Sequence, residues 1–208
     1  MAKARPAIVT ILFIPAIVGL AIQLATFNSL ANQLFILALF LLAPEQAYMA
    51  WVDLRRISLL TRMGLSRHLE GFTRLVWMTI LGQLLGFYLA AFGFLGWGFL
   101  VVLFSLIGFN LLATIRLEPD AESPITPRDA KERRIILALN GFAACLGLFW
   151  LVNLAETVAA AGILTIVLMY VSSKWVVYGK AWRRNRSNLS AHAADATEQH
   201  PYSPKQNQ

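Results

Sequence analysis

The sequence predicts an all-α integral membrane protein of six transmembrane helices, arranged as three helical hairpins with both termini on the cytoplasmic side. Three observations carry that prediction: the composition, the lengths of the uncharged runs, and the placement of the basic residues. Of 208 residues, 58% are apolar and 14% charged, with a mean hydropathy of +0.61. Soluble domains are roughly 45–50% apolar and about 25% charged, so the excess is too large for one buried core. A hydrocarbon layer of about 30 Å takes about 20 apolar helical residues per crossing. A chain of this length therefore holds a handful of crossings and short connections, with no room for a second soluble domain.

The first span, 7–25, follows Lys3 and Arg5. It is longer than the usual 7–15-residue core of a signal peptide, and no clear A-x-A site follows it, so it reads as a retained helix. The second, 30–51, is interrupted by Pro44-Glu45-Gln46. The part before the proline is too short to cross alone, which predicts one kinked helix. From Leu75 to Ile115 there is no charge over 41 residues. At about 1.5 Å each these would make about 60 Å of helix, twice the bilayer, so the chain must reverse within the run. Gly93, Gly96 and Gly98 around Trp97 mark that reversal, giving spans 75–92 and 97–115. The run from Ile135 to Ser173 divides in the same way at Asn153–Thr157, giving 135–152 and 157–173. Residues 1–186 thus form the transmembrane domain. The polar stretch 187–208, which carries His192 and His200, reads as a disordered cytoplasmic tail.

The net charge of +7 is informative through its position. All 18 Lys and Arg residues fall in the N-terminus, the Asp53–Arg74 segment, the Arg116–Arg134 segment or the C-terminal region. The turns near Asn28, Trp97 and Asn153 hold none. Basic residues are retained on the cytoplasmic side, which predicts that these four segments lie there. Either a bacterial inner membrane or an organellar membrane fits.

Between Leu54 and Phe72 the apolar positions do not form one stripe at 3.6 residues per turn, and Gly64 sits in the middle. Two short interfacial helices are expected there. In the second basic segment, Pro119, Pro124 and Pro127 with Glu118, Asp120 and Glu122 predict an extended acidic stretch, and Thr126-Pro127-Arg128-Asp129 resembles a helix start with Thr126 as N-cap. After the sixth span, Trp175, Tyr178 and Trp182 recur among Lys180, Arg183, Arg184 and Arg186. Aromatic and basic residues in that position read as an anchor at the level of anionic lipid headgroups rather than a nucleic-acid patch.

Enzyme chemistry is not signalled. The chain has no H-E-x-x-H, no G-x-S-x-G, no clustered histidines and no closely spaced aspartates, and none of His68, His192 and His200 lies in a span. No metal site or cofactor is expected. The lone Cys145 lies in an apolar run and is expected to pack as a small apolar residue.

One acid does lie inside a span. Glu45 is eight residues from Asp53, so its carboxyl sits about 12 Å inside the charged boundary, where an uncompensated charge is costly. Gln46, Gln83, Asn110 and Asn140 lie at similar depths, with Tyr48 beside Glu45, and would form an intramembrane polar cluster if they face inward. Such a cluster either fixes helix packing or lines a polar site beside carbonyls freed by Pro44. The expected function is that of a non-catalytic accessory protein: a subunit, assembly factor or scaffold with other membrane proteins as partners. The alternative is a small carrier or channel using the Glu45 cluster.

Overall fold

The computed structural model describes residues 6–117 and 124–175. It comprises helices α1 (Pro6–Thr26), α2 (Leu30–Arg62), α3 (Ser66–Ala91), α4 (Leu95–Leu112) and α5 (Ala130–Leu151), with a two-stranded ribbon of β1 (Ile115–Leu117) and β2 (Ile125–Pro127) between α4 and α5. A sixth helix, α6, runs over Glu156–Trp175. All six helices are long and apolar enough to cross a membrane, which is compatible with a multi-pass membrane protein.

Side-chain placement gives that compatibility a physical basis. Large apolar residues face outward on every one of these helices, among them Ile11 and Ile22 on α1, Met78 (73% exposed) and Leu81 on α3, Phe104 on α4, Phe142 on α5 and Val158 on α6. A surface this apolar is a liability in water and the ordinary exterior of a protein in lipid.

The chain forms two compact units, Met1–Leu168 and Met169–Gln208. In the first, α1 packs on α2 and α3, α2 on α3, α3 on α4, and α4 on α5. Fully buried Phe13, Phe35, Phe87 and Phe99 fill the interior. Phe13 meets Phe87 edge-on at 5.9 Å, and Phe35 meets Phe99 at 5.2 Å and Trp150 at 4.5 Å. The tightest contact is between α3 and α4, where a Cβ added at Gly86 would lie 2.6 Å from the Gly98 carbonyl oxygen. Two helix backbones touch there because neither has a side chain in the way. In the second unit the described residues end α6, with the Lys174 ammonium 5.7 Å from the Tyr170 ring centroid.

Several sequence expectations need correction. Only Gly93, with φ +97, belongs to the α3–α4 turn; Gly96 and Gly98 lie inside α4 and serve close packing. The fourth helix consequently starts at Leu95, and Trp97 projects outward from it at 61% exposure. The Asp53–Arg74 segment is not a loop with interfacial helices. It is the uninterrupted end of α2 and the start of α3, joined by a turn over 63–65. Leu54, Ile57 and Leu60 form a buried stripe on α2, and Leu69 is buried on α3. Treating 54–72 as one helix hides that stripe, because Gly64 at φ +87 resets the phase.

Most of the acidic proline-containing stretch, 118–123, lies outside the described residues; on either side of it Ile115, Arg116 and Leu117 pair with Pro127, Thr126 and Ile125. Pro127 ends a strand, and the N-cap of α5 is Asp129, not Thr126. Its carboxylate accepts a hydrogen bond from the Lys131 N–H at 3.0 Å, satisfying one of the orphan donors of the first turn. Cys145 is exposed on α5 rather than packed inside.

Candidate functional site

Three of the five residues assigned to the intramembrane polar cluster are joined by hydrogen bonds. Glu45 and Gln46 are adjacent on α2, and both side chains turn into the bundle, at 6% and 3% exposure. Gln46 uses both ends of its amide: Nε2 donates to Glu45 Oε2 at 2.7 Å, and Oε1 accepts from Gln83 Nε2 on α3 at 2.7 Å. Gln83 is itself buried. The depths agree along both helices. Gln46 is seven residues from Asp53 and Gln83 nine from Arg74, or about 11 and about 14 Å from the charged residue that begins the basic part of each helix.

The remaining assignments do not join that chain of bonds. Asn110 is buried on α4, but its Nδ2 donates to the Leu106 carbonyl one turn back on its own helix. Asn140 is half-buried on α5, which packs chiefly on α4. Tyr48 stands 43% exposed and stacks on Trp51 at 5.9 Å. Of the residues expected at the lipid interface, Trp175 is 70% exposed. Tyr178, Lys180, Trp182, Arg183, Arg184 and Arg186 lie outside the described residues, as does the tail.

Pro44 has no N–H to bond the Phe40 carbonyl one turn earlier. It is exposed, while Glu45 and Gln46 are buried.

No family model matches this chain, and no curated protein or solved structure matches it either.

Sequence reading missed a second set of polar ties. Gln23 Nε2 donates to the Ala91 carbonyl at 2.7 Å, and Tyr88 Oη donates to the Leu12 carbonyl at 3.1 Å, so α1 is bonded to α3 at two levels. Ala91 is the last residue of α3, and its carbonyl is one of those a helix end leaves unpaired. Gln33 similarly donates to the Phe27 carbonyl across the α1–α2 turn at 2.8 Å. The signal available in the sequence was an isolated amide near each span end; what it lacked was the partner, a backbone carbonyl. An outward ladder was missed as well: Tyr48 stacks on Trp51, and the Arg55 guanidinium lies 5.2 Å from the Trp51 ring centroid.

Proposed function

We propose that this chain is a non-catalytic integral membrane accessory protein, a subunit, assembly factor or scaffold that works through helix packing and a basic cytoplasmic face. The observation that supports the reading best is the use made of the one deep carboxylate. Glu45 is hydrogen-bonded to its neighbour Gln46, which is bonded in turn to Gln83 on α3. Buried polar bonds of this kind hold membrane helices together at about 0.6 to 2 kcal/mol each. They brace α2 against α3 rather than leaving the charge available to a passing solute.

In this reading the six helices cross the membrane as three hairpins, with both termini and both basic segments cytoplasmic. At about 1.5 Å per residue the 33-residue α2 is about 50 Å long, against about 30 Å of hydrocarbon. It therefore projects on the basic side. There α2 and α3 continue as a helical hairpin with a buried seam, and β1 packs against α2. The basic segments become a small folded head able to meet a partner, with Arg62 and Met63 exposed at its turn.

The test is purification of the tagged chain from its native membrane in mild detergent. A stoichiometric membrane partner is expected, and Arg56→Glu with Arg62→Glu should reduce its recovery several-fold while helix content stays unchanged. A chain that purifies alone from native membranes, with its native helix content, contradicts the proposal. That result would favour the second reading, a small carrier or channel, which rests on the presence of an acid at this depth.

A further inference from the structure

The outer face of α2 carries Pro44, Tyr48, Trp51 and Arg55 at spacings of four, three and four residues, the repeat of a single helical face. Tyr48 and Trp51 are near-parallel, with an interplanar angle of 27°. Arg55 lies over the same indole and is itself exposed. We propose that this face is a binding site for one anionic phospholipid, with its phosphate on Arg55 and its glycerol and upper acyl chain against the two rings.

Level, charge and order all support that occupant. From Tyr48 to Arg55 is about 10 Å along the helix, spanning the end of the apolar run and the first basic residues. That matches the passage from hydrocarbon to headgroup, where aromatic rings and cations are the usual lipid contacts. Arg55 is the basic residue of this face, and its guanidinium lies over the Trp51 ring. Arg74, also exposed, already bonds the Glu70 carboxylate on its own helix. Asp53 is two residues from Arg55 and so about 200° round the helix. The Trp51 ring holds the guanidinium plane in place before a phosphate arrives, and a fixed planar fork loses less freedom on binding an anion than a mobile ammonium. The site depends on α2 crossing the bilayer; it stands equally with an accessory protein or a carrier.

The experiment is lipid titration of the purified full-length protein in neutral detergent, with phosphatidylglycerol or phosphatidylcholine, bound lipids being counted by native mass spectrometry. Arg55→Gln should weaken the tightest phosphatidylglycerol step by about fivefold, the effect of one basic residue at such a surface, and Arg74→Gln should leave that step unchanged. Trp51→Leu keeps every charge, yet should weaken the same step because the guanidinium is no longer held. Phosphatidylcholine should show no Arg55-dependent step. Equal losses in Arg55→Gln and Arg74→Gln, or no loss in Trp51→Leu, would overturn the site in favour of diffuse charge attraction. An Arg55-dependent phosphatidylcholine step would overturn its selectivity for anionic lipid.

Discussion

Gly98→Val is expected to force α3 and α4 apart and to destabilise the folded protein strongly, whereas Gly108→Val on the same helix should leave it intact. A Cβ at Gly98 would lie 2.6 Å from the Ala90 backbone nitrogen and 2.9 Å from its Cβ, while one at Gly108 meets nothing within 4 Å. Backbone cannot rotate aside as a side-chain end can, so the helices must move apart. Overpacking costs about 1–3 kcal/mol where side chains can yield, and more where they cannot. The loss also reaches the Phe35–Phe99 contact one residue further along α4. Thermal unfolding followed by circular dichroism in detergent should show a large drop in Tm for Gly98→Val and little change for Gly108→Val. Similar shifts for the two variants would mean that the α3–α4 contact is not close.

The second large effect concerns Glu45, and its size depends on the replacement. In Glu45→Gln an amide oxygen can still accept from Gln46 Nε2, so the bond to Gln46 and the onward bond from Gln83 both persist. Glu45→Leu removes the acceptor and leaves the buried Gln46 amide with an unsatisfied N–H, at about 1–3 kcal/mol. The bracing role therefore predicts a normal Tm and normal partner recovery for Glu45→Gln, with both reduced for Glu45→Leu. Gln83→Leu should resemble Glu45→Leu, because it strips Gln46 Oε1 of its donor. A folded, abundant Glu45→Gln protein that has lost its cellular activity would instead assign the charge a working role and favour the carrier reading.

The number of long apolar helices was legible in the sequence because it depends on length and apolarity, which a chain displays residue by residue. Depth nominated Glu45, Gln46, Gln83, Asn110 and Asn140 as a cluster only if they face inward; the first four are buried and Asn140 is half-buried. Connectivity was not legible. Whether Asn110 bonds across the bundle or back to the Leu106 carbonyl depends on helix rotation, and an almost uniformly apolar helix gives no amphipathic stripe to fix it. Glycine was ambiguous for a related reason. The same residue serves a left-handed turn at Gly93 and a backbone contact at Gly98, and only the neighbouring helix tells them apart. Beyond the apolar spans, where stripes return, a different obstacle arose: the Leu54–Ile57–Leu60 face was concealed by carrying one helical phase across the Gly64 turn.

The central claim, six crossings with every basic segment on one side, is tested most directly by thiol accessibility in a Cys145→Ala background. Single cysteines at Ser66, Ser123 and Ser190 should react with an impermeant reagent only after the membrane is opened. A cysteine at Asn28, in the α1–α2 turn, should react in intact cells or right-side-out vesicles. Labelling of the Ser123 position from the outside of sealed membranes would contradict the account, since it would place the acidic, proline-containing segment and the basic start of α5 on the wrong side of the bilayer.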